Sequence, residues 1–309
     1  MKRVAPLVEY ASSSEDDAES DGTPRPDMRK SEPPPKRRKL PTLSSALVGP
    51  AHIDNPALHE GRVRTAPHVE GQYAAYVYVP VKLERNSRLL EFVRETFTRS
   101  KDFVPTLHPI PKHLLDLDAH TEEPAELHIS ISRPIYVRSH QREELKQAVR
   151  RIARSSSPFN ASFATFSELQ NDEKTRTFLT LEVGAGHNEL RTISEALIPT
   201  LRAIRQKEFY SEPRFHASFG WALMSCPSTP VTRPTSEATT PEETSLSDEL
   251  RSGNEDSFST IERFPEELVP TLKREFGPTL LTPIVGIFEV DSLCVRIGKD
   301  INRWKLTAS

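Results

Sequence analysis

Two short stretches constrain this chain more than any others. They read LHISI at 127–131 and FHASF at 215–219, 88 residues apart. In an extended strand, residues i and i+2 point to the same face. Leu127, Ile129 and Ile131 therefore share one face, and His128 and Ser130 share the other. Likewise Phe215, Ala217 and Phe219 lie opposite His216 and Ser218. Each stretch must bury an apolar side while presenting an imidazole beside a hydroxyl. Set side by side, the two strands would bring two imidazoles and two hydroxyls into one cleft.

The chain is long enough for a sizeable core, but it is not uniformly globular. Only 36% of its 309 residues are hydrophobic, and 27 are proline. Two segments account for this. Residues 1–50 hold eight prolines and a mixed-charge run, and residues 225–260 are rich in Ser, Thr, Pro and Glu. Neither buries enough apolar surface to offset its ordering entropy, so both are expected to be disordered. The folded part is then one two-lobed domain over 51–309, interrupted by the insert. It keeps 30 basic and 29 acidic residues. That balance excludes a polycation that coats nucleic acid and points to a local site. Two cysteines, Cys226 and Cys294, supply neither a disulfide framework nor a four-thiolate zinc site, which suits a reducing compartment. No apolar run reaches the roughly 18–20 residues of a membrane span, and the start of the chain lacks a signal-like apolar stretch.

Strand-like and helix-like segments alternate through the folded part. Residues 73–79 (YAAYVYV) read as a strand stopped by Pro80. Asn86 is expected to cap a helix with Leu89, Leu90, Phe92, Val93 and Phe97 at helical spacing. After strand 127–132, Ser139 is expected to cap a basic helix running through Arg154. Strands are expected at 159–166, 177–183 and 215–224, and a helix at 188–205 with Pro199 inside it. A helix near 266–276 and strands near 284–295 and 303–306 complete an α+β fold. The likeness of LHIS to FHAS suggests two similar lobes folded against each other.

Paired imidazoles and hydroxyls suit phosphodiester cleavage in RNA. A neutral imidazole can take a proton from a ribose 2′-OH, and a protonated one can give a proton to the leaving 5′-oxygen. Serine hydroxyls can hydrogen-bond the phosphate as charge moves onto it. No metal or cofactor is required. With ten histidines and 30 serines, about one His-x-Ser arises by chance. The competing reading is therefore a pair of ordinary core or surface histidines. A second copy in an apolar-flanked strand raises the pair above composition.

The stretches HISIS and HASFGW resemble the signature of the 2H phosphoesterase superfamily. Three further stretches resemble one family within it, the U6 snRNA phosphodiesterases (the Usb/Mpn proteins). These are FYSEPRFHASFGW at 209–221, VRIGK at 295–299, and LVEY at 7–10 running into SSSEDD at 12–17. The resemblance implies pseudo-symmetric lobes of antiparallel sheet flanked by helices. It implies a 3′→5′ exoribonuclease that trims the 3′ oligouridine tail of U6 snRNA and leaves a 2′,3′-cyclic phosphate or 3′-phosphate. His128 and His216 would be the proton-transfer pair, in either order, with Ser130 and Ser218 on the phosphate. Tyr210 would stack on the terminal base. The family's polar residue after the first His-x-Ser is Ile131 here. The RNA 3′ end is the implied partner, with no membrane, a monomeric protein and a nuclear location. The alternatives are a general 2H cyclic phosphodiesterase, an RNA-end ligase-like protein, or a non-catalytic module that binds RNA 3′ ends.

Other features carry less. The basic cluster KRRK at 36–39 reads as a nuclear-import signal or a solvated charge run. The serines at 12–14 precede acidic residues, which suits an acidophilic kinase or an inert acidic tail. The basic face of helix 141–154 suits solvent better than an RNA backbone. His108 and His113 lack metal-ligand spacing. Gly184-Ala185-Gly186 lacks the remaining glycine of a dinucleotide fingerprint.

Overall fold

The computed structural model describes residues 55–62, 69–116, 125–225 and 258–308. The expected tail 1–50, positions 226–257 of the expected insert, the cluster 36–39 and the serines 12–14 lie outside the described residues. Ser225 and 258–260, placed by sequence in the insert, are described. Ser225 N donates to Ile261 O (2.9 Å) and Ile261 N to Leu223 O (2.9 Å), so the described residues on either side of 226–257 are hydrogen-bonded to each other.

The elements run β1 (Gln72–Leu83), α1 (Arg88–Phe103), β2 (His108–Pro109), β3 (Ala125–Ser130), β4 (Ile135–Arg138), α2 (Gln141–Ser155), β5 (Phe159–Gln170), β6 (Arg176–Val183), α3 (His187–Ala203), β7 (His216–Leu223), α4 (Leu268–Leu280), α5 (Pro283–Gly286), β8 (Ile287–Val290), β9 (Ser292–Ile297) and β10 (Asp300–Lys305). The order across the sheet is β10-β9-β1-β3-β7-β6-β5-β8, with β4 beside β1 and β2 beside β7. Each of these pairings is antiparallel. Counting β3 and β7 themselves, five strands lie on each side of the β3–β7 junction. The halves are not contiguous in sequence: β9 and β10 return to flank β1, while β8 closes the far edge against β5.

Sequence and structure differ where neighbours decide the outcome. β1 does not stop at Pro80. Pairing with β9 ends at Tyr78, whereas β3 continues to Leu83. From Pro80 onward the strand is paired on one side only, the condition under which a strand tolerates proline. Ser87, not Asn86, caps α1, because its extended backbone lets its hydroxyl accept from Leu90 N at 3.2 Å. α2 starts after His140 rather than Ser139, with no side-chain cap bond. The expected strand 284–295 is three elements, since Pro283 pre-sets a helical turn before β8 and β9. β2 and β4, of two and four residues, are too short to signal in sequence.

The helices and the apolar sheet face share one core. α1 packs against α4, α5 and β7, and α2 against β4, β9, β10 and α3. The expected α1 stripe of Leu89, Leu90, Phe92, Val93 and Phe97 is buried throughout, each side chain worth roughly 1.5–3 kcal/mol over an exposed position. Phe92 meets Phe166 of β5 at 6.1 Å and Phe276 of α4 at 6.0 Å between ring centres. Gly220 of β7 lets this layer close onto the sheet. A Cβ there would stand 3.1 Å from Leu107 Cδ2 and 3.3 Å from the Phe97 ring.

Candidate active site

β3 and β7 meet at the centre of the sheet through the pair Ile129–Ala217. Both side chains are wholly buried, together with Leu127, Ile131, Phe215 and Phe219. Strand alternation then turns His128, Ser130, His216 and Ser218 to the opposite face, where all four are half-buried. The antiparallel register around Ile129–Ala217 sets His128 level with Ser218 and Ser130 level with His216. Directly opposed residues have Cβ atoms about 4.5–5.5 Å apart. Each imidazole thus stands beside the other strand's hydroxyl.

The strands outside this pair supply different company. On one side, β1 sets Pro80 opposite His128 and Tyr78 opposite Ser130. The rings of Tyr76 and Tyr78 each lie 5.7 Å from the His128 ring, tilted and edge-on respectively. Beyond them Arg296 of β9 is opposite Tyr76. On the other side, β6 sets Glu182 opposite His216 and Thr180 opposite Ser218. His216 Nδ1–H donates to the Arg214 carbonyl at 2.6 Å, which leaves Nε2 as the free ring nitrogen. The Arg214 guanidinium donates to Glu182. One residue therefore braces the imidazole with its backbone and the carboxylate with its side chain.

These surroundings move the two histidines unequally. Burial pushes His128 down to about 4, and the nearby His216 and Arg296 act in the same direction. Burial also lowers His216, but its bond to the Arg214 carbonyl and the Glu182 carboxylate oppose the shift, while the Arg214 charge adds to it. Glu182 itself is held below the usual carboxylate range: burial raises it, and bonds from Ser167 and Arg214 outweigh that. His216 thus has groups that welcome a proton. Those that act on His128 all resist one.

Tyr210 sits on the loop before β7, six residues ahead of His216 and 42% exposed. The Arg133 guanidinium covers its ring at 3.8 Å, and its hydroxyl donates to Asp172 Oδ1 at 2.7 Å. Burial and Asp172 push the phenol up to about 12. Arg133 also pairs with Asp172 at 2.8 Å, fixing the ring with one face already occupied. The ring contacts described for Tyr210 are with Arg133 and Phe209, not with the histidine pair. Ile131 is buried and offers no polar group to a nucleotide.

Two of the lesser features have partners within the fold. His108 stacks on Trp221 at 4.5 Å. Arg142 of α2 pairs with Asp300 at 2.7 Å and covers Tyr73 at 4.6 Å. Among the described residues no group of three or more His, Cys, Asp or Glu is placed to hold a metal ion, and no helix is long and apolar enough to cross a membrane. Sequence reasoning assigned no role to Tyr76, Tyr78, Glu182, Arg214 or Arg296. Arg214 and Arg296 stood inside the stretches 209–221 and 295–299. Glu182 and the tyrosines lay in expected strands whose partners could not be read.

The two His-x-Ser strands thus lie side by side in the antiparallel sheet, with their polar side chains on one face. The family model described as "HVSL: Uncharacterised conserved protein" matches residues 33–303. U6 snRNA phosphodiesterase 1 of Homo sapiens is 31% identical over 234 residues, covering 71% of this chain and 80% of that protein. The Bos taurus protein of the same name is 30% identical over 231 residues, with the same coverage. Among solved structures, Kluyveromyces marxianus Usb1 with uridine monophosphate covers 75% of this chain and 98% of its own, at 14% identity and a TM-score of 0.48. E. coli LigT complexed with 3′-AMP covers 77% and 99%, at 12% identity and a TM-score of 0.37. The chain belongs to the U6 snRNA phosphodiesterase family.

Proposed function

We propose that this protein is an RNA phosphodiesterase that trims the 3′ oligouridine end of U6 snRNA, one nucleoside at a time, without a metal ion. The observation that carries the reading is the β3–β7 register, which sets each histidine beside the opposite serine on one open face. Membership of the family supplies the substrate.

His128, neutral and poor at holding a proton, is the base for the 2′-OH of the penultimate ribose. The 2′-oxygen attacks phosphorus, the P–O5′ bond breaks, and a 2′,3′-cyclic phosphate forms. His216 Nε2 gives its proton to the departing O5′, with Nδ1 anchored on Arg214 O and Glu182 opposite to stabilise the imidazolium. Ser130 and Ser218 hydrogen-bond the phosphate oxygens as their charge grows. Tyr210 offers its uncovered ring face to the terminal base. The released product is a nucleoside. The anionic diester lying between the rings raises both imidazoles, so a protonated His216 is accessible near neutral pH. The protein acts as a monomer in the nucleus, where its substrate matures, and the cluster 36–39 directs it there.

The test is an oligouridine-ended RNA incubated in EDTA, with both product ends identified by mass. Released uridine and a cyclic phosphate or phosphate on the shortened RNA are expected. A penultimate 2′-deoxy sugar should block removal of the last nucleoside. Ready cleavage of that substrate, or full inhibition by EDTA, would overturn the mechanism.

A further inference from the structure

The wet face continues past the histidine pair to a cation that the proposed reaction does not use. Arg296 lies on β9 opposite Tyr76, and Tyr76 is in ring contact with His128. Across the sheet, β1 lies between β3 and β9. Pro80 of β1 is opposite His128, and Tyr76, four residues along, is opposite Arg296, so the arginine is set off from His128 by two strands, roughly 10 Å, and by four residues along them. Its Nε donates to Gly298 O at 3.2 Å. Gly298 has φ +60° in the β9–β10 turn, a conformation natural to glycine. The guanidinium is oriented by this bond while its terminal nitrogens stay available. Among the described residues no carboxylate pairs with Arg296, although Arg303 and Arg142 of the same region are paired with Glu126 and Asp300. Lys299, in the same turn, adds a second exposed cation.

The two flanks of the histidine pair differ in sign. On the His216 side β6 brings Glu182, a carboxylate already engaged by Arg214. On the His128 side, past the Tyr76 ring, β9 brings Arg296, which has no carboxylate partner among the described residues. A 3′-terminal nucleoside has no phosphate past the scissile one, whereas the upstream RNA carries one at every step. The anionic side of the substrate therefore matches the Arg296 side.

We infer that Arg296 is the anchor for the phosphate immediately upstream of the scissile one, fixing the direction in which the RNA crosses the sheet. The inference rests on the proposed reaction and adds a subsite to it. An oriented guanidinium can hold a phosphate through two parallel hydrogen bonds. Tyr76 spans the interval between this phosphate and His128.

The experiment compares UpU, which has only the scissile phosphate, with UpUpU, which adds one upstream phosphate. Cleavage is measured as kcat/KM. Binding is measured with analogues carrying a 2′-deoxy sugar at the penultimate position. The wild-type protein should favour the trinucleotide by about tenfold in both measurements, the scale of one charge-assisted contact. In Arg296→Gln that preference should shrink towards onefold, and Arg296→Lys should restore part of it. A neutral methylphosphonate at the upstream position should cost the wild type as much as the substitution does, and should cost Arg296→Gln nothing further. Equal loss on both substrates with the preference intact would overturn the inference, because Arg296 would then act at the scissile phosphate or on His128. A full preference in Arg296→Gln would also overturn it. If the wild type neither cleaves nor binds either oligonucleotide, the proposed reaction itself fails, and the binding arm separates that outcome from loss of the subsite.

Discussion

The neighbourhoods of His128 and His216 are built on near-identical strand motifs and lead to different proton chemistry. His128 lies against the Tyr76 and Tyr78 rings and within reach of the Arg296 charge, a setting of aromatic edges and positive charge. His216 is tied at Nδ1 to a carbonyl and faces a carboxylate. The motif determines where an imidazole stands. The next strand out determines whether it holds a proton. Two copies of one motif thus supply two imidazoles, and in the proposed reaction the unlike flanks would divide the labour between base and acid.

The largest effect should come from removing either imidazole. His128→Ala and His216→Ala should each lower kcat/KM on oligouridine by at least about 10²-fold, with binding of the penultimate-deoxy analogue little changed. To sharpen the comparison, each variant can be assayed on RNA whose terminal 5′-oxygen is replaced by sulfur. The thiolate leaves without a proton donor, so this substrate should recover much of the activity of His216→Ala and little of that of His128→Ala. Equal recovery in both would dissolve the assignment of roles.

A smaller effect is expected at Glu182. It touches no reacting atom in this scheme and acts through His216 as a positioning residue. His216 is faced by Glu182 from β6, by Arg214 on its own chain segment and, from β3, by Ser130 opposite it and by His128 two residues along. Glu182→Gln removes the one carboxylate among them and should make protonated His216 harder to form. The rate profile should keep its bell shape while its high-pH limb moves to lower pH, costing about tenfold at neutral pH. A purely structural role would instead lower the rate evenly at every pH. Glu182→Asp should return part of the limb toward its original place.

Much of this site was readable before the fold was known, for a definite reason. Period-two alternation in LHISI and FHASF depends on neighbours along the chain, and it put all four polar side chains on the correct faces. The α1 stripe was legible for the same reason. What could not be read was pairing. Glu182 lies in TLEV, an unremarkable strand end, and becomes important only because β6 lies beside β7. Pro80 reads as a stop until one sees that only β3 still pairs there. Ser87 wins the α1 cap over Asn86 by backbone conformation, which residue type does not reveal. Tyr210 was noticed through its motif, whereas its bracing by Arg133 and Asp172 joins three segments distant in sequence.

The smallest effect concerns stability, and it tests the same asymmetry without substrate. His128 has a folded pKa of about 4, below the roughly 6.5 of a free histidine. Between those values the unfolded chain binds a proton that the folded chain refuses. The unfolded state then holds more protons, so stability rises with pH across this window and is lost as pH falls from about 6.5 to about 4. This one group contributes at most about 3 kcal/mol, or several degrees in melting temperature at about 2–4 °C per kcal/mol for a chain of this size. His216 acts with the same sign, but Glu182 and the Arg214 carbonyl weaken its share. Melting curves across this window should therefore slope less in His128→Asn than in the wild type, with His216→Asn between them. Carboxylates held low, such as Asp291 beside Lys82, also destabilise the fold in acid, but they are common to all three proteins and cancel in the comparison. If His216→Asn flattens the slope more than His128→Asn, the more strongly resisted proton belongs to His216, and the base and acid roles must be exchanged.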